Sequence, residues 1–392
     1  MVVRDEIGRL PFTLAHHRAL GVDRFFVVDN GSRDGTTDYL LAQPDVHVFS
    51  TRVSYLESRL GIDWIEALLA RYGEDRWSLI IDGDEHFVYP DCEFFRLPAF
   101  CKALEAHGLD CLATVCVDLY ADRPIADTVI DGRPLIETCP FFDEDGYYSF
   151  HVLGSSLPRL YGGPRGRLFW PELNLSQEAA LGRAYIERAF DEDEYLSLFP
   201  DVRAAVADGT VRSGLDHFAR FGRGEARRVS VRPVTDWPDE TYLASNPDVL
   251  EAVRRGEFAS GLQHYVAHGH FESRTIAGAK PPCLSLFPLV RWRAGMRFEV
   301  GRHRLNGTTW RRDDAVGGAL LHFRLMADLS PRSDAVADRP DATGQAWNLE
   351  NQRYRDVLRA NPSLSAIGWS SVRYRDARQL LELKILADVP EL

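Results

Sequence analysis

Two apolar runs that each end in an acidic, glycine-containing turn place the strongest limit on the fold of this chain. Val27 and Val28 are followed by DNGSRDGT (residues 29–36), and Ile80 and Ile81 are followed by DGDE (residues 82–85). Strands that deliver polar residues from their C-terminal ends are typical of open α/β sheets, which bind ligands at that edge. We therefore expect an α/β fold with a binding site where these strands end.

The first part of the chain, to about residue 170, alternates short apolar strands with helix-like segments. This alternation predicts a mostly parallel, Rossmann-like central sheet with helices on both faces. We expect helices over residues 7–20, 35–41 and 61–72, and strands over residues 24–28, 46–49, 77–81 and 113–117. Later strands are predicted at 284–292 and 319–325, a hairpin at 296–305, helices at 354–358 and 376–386, and a mobile loop at 330–344.

Composition and charge argue against several classes of protein. The 392 residues are 45% hydrophobic and 27% charged, and no apolar run approaches the length of a membrane span. The N-terminus has no apolar signal segment, so the expected location is the cytoplasm, including peripheral contact with the inner face of the membrane. A net charge of -12 argues against nucleic acid as a partner. The cysteines form no CxxC pair and are interpreted as reduced, mostly buried thiols.

The DGDE turn carries carboxylates at a spacing that suits a divalent cation. Asp82 and Asp84 lie two positions apart, so both can face one ion, and Gly83 avoids a side-chain clash between them. Mg²⁺ and Mn²⁺ prefer oxygen ligands, and Mg²⁺ typically binds one or two carboxylates together with substrate phosphates. A solvated turn after an edge strand is the alternative, but the second acidic turn at residues 29–36 favours a metal site.

The combination of these motifs resembles family 2 glycosyltransferases, and most closely a bacterial subgroup with HHxxLGVDxFxxxDNxSxDGT and DxDEF signatures. The matching segments are VRDE (3–6), AHHRALGVD (15–23), VDNGSRDGT (28–36) and IDGDE (81–85). GGPR (162–165), FPLVRW (287–292) and LLHF (320–323) resemble later elements of that subgroup. The match covers about residues 1–170 and 280–392, and the motifs are specific in combination although each alone is not.

The resemblance implies a GT-A fold, a nucleotide-sugar donor, a divalent cation (Mn²⁺ or Mg²⁺) and inversion at the anomeric carbon. A UDP-sugar is the first choice of donor, and a glycan or glycoconjugate is the implied acceptor. For His322 a structural role beside Phe323 remains an equal alternative. The residues implied for the donor are Asp5, Glu6, Asp29, Asp34 and Asp82, and those implied for the metal are Asp82, Asp84 and His322.

Sugar transfer also needs a positive group at the leaving diphosphate and a base for the acceptor hydroxyl. Arg165 and Arg167 are candidates for the first task, and Arg165 is included in the predicted donor site. Asp143, in FFDED (141–145), is the predicted catalytic base, because the neighbouring aromatic residues can form a wall against a sugar. An acidic surface loop is the competing interpretation, since the ED signature of many family 2 enzymes is not evident here.

An internal repeat occupies the middle of the chain. Residues 195–227 recur at 242–274, always 47 positions later and without a gap, which indicates a duplication. Each unit is predicted to form two short helices joined by a glycine-containing turn. The matched pairs include Tyr195 and Tyr242, Ser213 and Ser260, His217 and His264, Gly222 and Gly269, and Arg227 and Arg274.

The repeated His217 and His264 admit a metal-binding or catalytic role. A structural role is favoured, because each unit offers a single histidine on a predicted amphipathic helix beside an aromatic residue. The repeats also resemble YLxxNPDVxxAVxxG…HYxxxGxxEGR modules of bacterial glycosyltransferases and some large surface proteins. That resemblance implies packing or binding of a protein partner, and no known chemistry.

These features divide the chain into three parts. Residues 1–180 are expected to form the nucleotide-sugar-binding part, residues 187–276 the two repeats (187–229 and 234–276), and residues 280–392 the remainder of the GT-A domain. The predicted activity is that of a hexosyltransferase-type enzyme. A GT-A-like nucleotidyltransferase is disfavoured by the acidic start of the chain. The remaining alternative is a non-catalytic scaffold in which a degenerate GT-A domain supports the repeats.

Overall fold

The computed structural model describes residues 1–150, 159–173, 175–272, 274, 276, 281–299, 301–309, 316–338 and 346–387. Within these ranges the chain forms a mixed α/β fold with two main sheets and a helical module. Residues 339–344 of the predicted mobile loop and residue 300 of the predicted hairpin lie outside the described residues.

The N-terminal region forms a three-stranded parallel sheet with helical connections. Its elements are β1 (Val2–Val3), α1 (Leu10–Leu20), β2 (Phe25–Asp29), α2 (Thr36–Leu41), β3 (Val46–Ser50) and α3 (Ile62–Leu68), which continues as a π-helical turn over Leu69–Gly73. Strand β2 lies between β1 and β3, with Val2 opposite Val28 and Phe25 opposite Val46. Gly21 ends α1 in the left-handed conformation (φ 101°), which allows its amide to reach the Arg18 carbonyl.

The next region contributes the strands that surround the DGDE turn. Its elements are β4 (Trp77–Leu79), β5 (Glu85–Val88), α4 (Leu97–Ala106), β6 (Cys111–Asp118), α5 (Leu135–Thr138), β7 (Phe141–Asp143), β8 (Tyr147–Phe150), β9 (Arg159–Gly162) and α6 (Gly163–Phe169). Strand β5 was not predicted from the sequence. All four of its residues are buried, and this burial stabilises the strand although its first residue is a glutamate.

The repeats form a helical module with its own apolar core. Its elements are α7 (Leu175–Ala189), α8 (Glu192–Leu198), α9 (Pro200–Ala207), α10 (Gly214–His217), α11 (Asp239–Ser245), α12 (Pro247–Arg254) and α13 (Gly261–His264), and π-helical turns over Phe218–Gly222 and Tyr265–Gly269 follow α10 and α13. Each unit thus has three short helices where two were predicted. The serine before α10 or α13 caps the helix in both copies, accepting from the amide of Asp216 or Gln263.

The C-terminal region returns to the sheet. Its elements are β10 (Ser285–Arg291), β11 (Arg297–Glu299), β12 (Arg304–Asn306), β13 (Val316–His322), α14 (Leu329–Ala337), α15 (Ala346–Ala360), β14 (Ser371–Arg373) and α16 (Ala377–Glu382). Helix α14 occupies most of the described part of the segment predicted as a mobile loop, so that prediction was wrong there. Burial of Leu329 and Ser333 fixes this helix against the fold in spite of its polar composition.

The main sheet has five strands in the order β4-β10-β6-β13-β5. Strand β13 is parallel to β6, but β10 is antiparallel to β4 and β6, and β5 is antiparallel to β13. The prediction of a mostly parallel sheet was therefore wrong for these strands. Residues 80–84 connect β4 at one edge of the sheet to β5 at the other edge, and the chain changes direction between these two strands. Strand β10, which follows the helical module, also runs opposite to its neighbours.

Helix α1 packs on β5 through two histidines that face the sheet. His17 is fully buried; its Nδ1 lies 2.8 Å from the Thr13 carbonyl oxygen, and its Nε2 accepts from the Phe87 amide at 3.2 Å. His16 Nε2 lies 2.8 Å from the Phe87 carbonyl oxygen. Because each of these ring nitrogens has a backbone partner, we assign the two histidines a packing role. They hold α1 next to the residues that follow β1 and β4.

Candidate functional site

Polar side chains from β1, β4, β6 and β13 meet where these strands end. Glu6, after β1, packs directly on Gly83: a Cβ at Gly83 would lie 3.1 Å from the Glu6 Cγ. The Thr13 hydroxyl of α1 donates to the Gly83 carbonyl at 2.7 Å. Glycine at this position therefore allows the ends of two strands to approach each other closely.

A line of four charged or ionisable side chains extends from the DGDE turn into the sheet. Asp84 Oδ2 lies 3.6 Å from His322 Nε2, and His322 Nδ1 lies 2.7 Å from Asp118 Oδ1. Arg165 Nε donates to the other Asp118 oxygen at 2.7 Å. All four residues are at most 7% exposed. The register explains the contact, because His322 of β13 lies opposite Asp118 of β6 and Glu85 of β5.

The electrostatics of this line follow from its alternating charges. Burial alone lowers the pKa of His322, but Cys116, Asp84 and Asp118 outweigh it and raise that pKa well above 6.5. Burial raises the pKa of Asp84, yet His322 and Arg332 more than offset it and hold that pKa well below 3.8. An imidazole held between two carboxylates can bind a proton or can present Nε2 to a cation next to Asp84.

Arg302 pairs with the other two carboxylates of the turn. Its guanidinium donates to Asp82 Oδ2 and to both Glu85 oxygens at 2.9 Å, and to the Ile80 carbonyl at 2.7 Å. The Asp82 side chain is 46% exposed, whereas that of Glu85 is 4% exposed. The structure thus brings Asp84 and His322 of the predicted metal set together and holds Asp82 beside Arg302.

Two arginines flank the buried Glu6. Arg9 makes a bidentate contact with Asp328 at 2.7 and 2.6 Å, and Arg332 of α14 donates to Glu6. Arg332 Nη1 also lies 4.0 Å from Asp84 Oδ2, and its side chain is 38% exposed. Burial raises the pKa of Glu6 to about 7 despite the opposing effect of Arg332. Arg332 is therefore a partly exposed positive charge beside Asp84.

The residues predicted for the donor nucleotide stabilise the loops after β1 and β2. The Asp29 carboxylate accepts from the Ser32 and Thr37 hydroxyls, and Asp34 accepts from the amides of Ile7 and Thr36. Asp5 accepts from the Arg33 amide at 2.7 Å. These bonds tie the loops to each other. Contact of these three carboxylates with a nucleotide stays a prediction.

The loops that these carboxylates support form one wall of a pocket of about 460 Å³. Among the described residues, no carboxylate lies within ion-pair distance of Arg33 or Arg52, and Arg4 has a loose contact of 3.8 Å with Asp5. The pocket therefore carries net positive charge and suits an anionic ligand. Its lining residues are Arg4, Asn30, Gly31, Ser32, Arg33, Arg52, Val53, Ser54 and Tyr55.

Asp143, the predicted base, is buried at the end of β7 with partners on both oxygens. Arg167 donates to both Asp143 oxygens at 3.0 Å, and the Tyr120 hydroxyl donates to Oδ1. A general base needs an oxygen within hydrogen-bond reach of the acceptor hydroxyl. In this arrangement a substrate hydroxyl reaches Asp143 only by displacing Arg167. Arg165, predicted to face the leaving diphosphate, is likewise bonded to Asp118 and 5% exposed.

Three residues that sequence reasoning missed complete the cluster: Asp118, Arg302 and Arg332. Each is a single polar residue without a local motif, and each meets its partner across more than 200 positions of the chain. Cys116 is a further neighbour: one ligand atom each from Cys116, Asp118 and His322 lie within 4.8 Å of one another. This buried group also has the composition of a metal site.

Comparison with known protein families gives no match for this chain, and comparison with curated proteins gives none either. Among the described residues, no helix combines the length and the apolar character needed to cross a bilayer. The interpretation of the site therefore depends on its chemistry.

Proposed function

We propose that this chain is a metal-dependent glycosyltransferase of the GT-A fold that uses a nucleotide-sugar donor, a UDP-sugar in first place. The transfer proceeds with inversion to a glycan or glycoconjugate acceptor. The 3.6 Å separation between Asp84 Oδ2 and His322 Nε2 carries the proposal, because these are the atoms that one cation would join at the strand ends. The resemblance of residues 1–170 and 280–392 to family 2 enzymes supports the same activity.

The donor set suits Mn²⁺ or Mg²⁺. Neighbouring ligands around an octahedral ion with bonds of about 2.1 Å lie about 3 Å apart. The observed separation of 3.6 Å needs only a small adjustment to match this spacing. Asp118 occupies Nδ1 of His322, which orients the ring and leaves Nε2 for the cation, as carboxylates commonly do for metal-binding histidines.

The pocket beside Arg4, Arg33 and Arg52 is the proposed site of the nucleotide. It lies at the end of β2, and Asp5 and Glu6, the residues that follow β1, link it to the DGDE turn. A nucleoside diphosphate can extend from this pocket toward Asp84. Its negatively charged phosphates then lie near the positively charged Arg332 guanidinium.

Cleavage of the sugar–phosphate bond leaves negative charge on the diphosphate. A bound divalent cation would supply positive charge to that oxygen. Arg332 adds a second positive group, and Glu6 and Asp328 hold its guanidinium in position. We therefore assign Arg332, in place of Arg165, to the leaving group.

The test is thermal stabilisation of the purified protein by UDP, GDP and dTDP, each with and without Mn²⁺. A ligand that binds the native state raises the midpoint, by an amount that corresponds to about 2.7 kcal/mol at one hundred times its Kd. We expect a Mn²⁺-dependent rise with UDP for the wild type. Asp84→Asn should abolish the Mn²⁺ dependence, and Asp356→Asn, at an exposed position of α15, should retain it.

Two results would contradict the proposal. One is a cooperative melting transition that no nucleotide shifts, which would favour the scaffold with an interaction module. The other is an Asp84→Asn protein that melts like the wild type and keeps the Mn²⁺-dependent shift.

A further inference from the structure

Two arginines lie on Phe271, where the repeat module meets the strands of the sheet region. Arg159 begins β9 and is 5% exposed, and its Nη2 donates to the Phe271 carbonyl at 2.7 Å. Arg223 follows the π-helical turn of the first repeat, and its Cζ lies 4.2 Å from the centre of the Phe271 ring. Phe271 thus contacts both guanidinium groups, one through its backbone and one through its ring.

These two guanidinium groups have few polar partners. Among the described residues no carboxylate lies within ion-pair distance of Arg159 or Arg223, and the Arg223 Nε is buried without a hydrogen-bond partner. Placing a charge in the interior is costly unless an opposite charge and hydrogen bonds compensate for it. The arrangement therefore favours an anion beside these arginines.

A third arginine, Arg304 of β12, adds to the positive charge. Its contact with Glu299 is 3.4 Å long, and its side chain is 30% exposed. Burial and then Arg304 are the largest effects that lower the pKa of Arg223 to about 10, and Glu299 and Glu272 do not offset them. Because Arg223 is also partly exposed, an anion can reach the group from solvent.

Two further side chains respond to the same positive charge. Burial, the largest effect, together with Arg159 and Arg223 lowers the pKa of His270 to about 4. Burial raises the pKa of Cys283, but His303 and Arg159 outweigh it and lower that pKa to about 6. The positive charge thus acts on side chains on both sides of the contact between the module and the strands.

The negative groups nearby do not balance the arginines. Glu299 pairs with Arg304, and Glu272 is already held by Arg274 at 2.6 Å. With a deprotonated Cys283 counted as well, two negative groups among the described residues face three arginines. One positive charge is left over.

The duplication brings both repeats to this place. Arg223 and His270 are 47 positions apart and therefore occupy the same position of the two units. The ring of Phe218, in the first repeat, lies 6.1 Å from that of Phe271, in the second. The arginine group thus combines β9 and β12 with the equivalent turns of both repeats.

From these contacts we propose that Arg159, Arg223 and Arg304 form a binding site for one phosphate group, either the free ion or a monoester carried by a larger molecule. Guanidinium groups suit oxyanions because they donate several hydrogen bonds in a fixed geometry. A phosphate monoester carries a charge of about -1.5 to -2 at pH 7, more than a carboxylate supplies. The bound group would join the module to β9 and β12. This inference goes beyond the proposed catalytic function and does not depend on it.

The experiment compares thermal midpoints in sodium phosphate and in sodium chloride of the same ionic strength and pH, with EDTA present. Because the pocket at the end of β2 also suits an anion, every protein carries Arg33→Gln and Arg52→Gln. Arg159→Met and Arg223→Gln each remove one guanidinium from the proposed site. Arg212→Gln, in the same module and 88% exposed, is the control. A second series replaces phosphate with methyl phosphate.

We expect phosphate to raise the midpoint of the background protein and of the Arg212→Gln control by about 2 °C or more. The rise should be absent in Arg159→Met and smaller in Arg223→Gln. A similar rise with methyl phosphate would show that the site accepts an esterified phosphate, and a rise with inorganic phosphate alone would assign it to the free ion.

A background protein with the same midpoint in phosphate and in chloride overturns the proposal. So does a rise in Arg159→Met and Arg223→Gln that equals the rise in the control. Should Arg159→Met fail to fold, the comparison of Arg223→Gln with Arg212→Gln decides, because Arg223 is partly exposed and its replacement is tolerated more easily.

Discussion

Buried histidines at the strand ends and in the repeat module have opposite electrostatic environments. His264 of the module lies beside Tyr242, with its Nδ1 3.0 Å from the tyrosine hydroxyl oxygen, and burial lowers its pKa from 6.5 to about 4. His322 is equally buried, yet Cys116 and the two neighbouring carboxylates outweigh burial and raise its pKa well above 6.5. Burial by itself therefore does not decide the direction in which the pKa of a buried histidine shifts, and the charge of its neighbours does.

The module repeats its arrangement, which supports a structural role. His217 Nδ1 lies 3.1 Å from the Tyr195 hydroxyl oxygen, matching the contact of His264 with Tyr242. Arg227 pairs with Asp201 as Arg274 pairs with Asp248. Conversely, the Asp84–His322 pair occurs once and lies beside a partly exposed arginine. The following predictions test this contrast, from the largest expected effect to the smallest.

Asp84→Asn should reduce metal-dependent release of nucleoside diphosphate from the donor at least about 100-fold, because it removes a proposed metal ligand. This loss is larger than the one typical for a residue that only orients a ligand. Asp82→Asn should have a smaller effect, since the Asp82 carboxylate is already paired with Arg302. Initial rates with a UDP-sugar and Mn²⁺ measure both. Equal losses in the two variants would contradict the assignment of Asp84 as the principal ligand.

The low pKa of His264 makes the module sensitive to acid. The unfolded chain binds this proton near pH 6.5 and the folded chain near pH 4, so stability falls as the pH decreases through that window, by at most about 3 kcal/mol. His264→Gln should flatten the dependence of the urea midpoint on pH between 7.5 and 4.5. His107→Gln, at an exposed position, is the control. An unchanged pH dependence in His264→Gln would count against this assignment.

Asp118→Asn should weaken Mn²⁺ binding about 10- to 100-fold, because His322 loses the carboxylate that orients its ring. The variant should also melt at a lower temperature, since Arg165 keeps a buried charge without its partner. Asp122→Asn, where the side chain is 64% exposed, should show neither effect. Calorimetric titration with Mn²⁺ measures the affinity. Wild-type affinity in Asp118→Asn would show that the ring is oriented by other contacts.

Gly222→Ala and Gly269→Ala should each destabilise the module by about 1–3 kcal/mol through overpacking. In each copy a Cβ would overlap the hydroxyl of the repeat tyrosine, Tyr195 or Tyr242. Gly224→Ala is the matched control, because its Cβ meets only the Phe221 carbonyl oxygen at 3.4 Å. Thermal melts compare the three. A wild-type midpoint for either repeat variant would refute the packing role of that glycine.

Much of the local structure follows from sequence patterns. The predicted strand at 24–28 overlaps β2, the predicted helix at 7–20 contains α1, and the 47-residue repeat appears as two matching sets of helices and turns. Short-range periodicity carries this information, since each element depends on residues a few positions apart. The same patterns did not predict β5 or α14, whose burial depends on segments far away in the chain.

The sequence by itself determined where carboxylates follow apolar strands, and hence that Asp82 and Asp84 lie at a sheet edge. Only the tertiary structure decided that Asp84 faces His322 while Asp82 faces Arg302, and that Asp118, Arg165 and Arg332 join the cluster. The physical reason is that strand register and helix packing bring together residues separated by up to 326 positions. Charge, burial and hydrogen bonding at the site depend on those distant neighbours, and no local pattern encodes them.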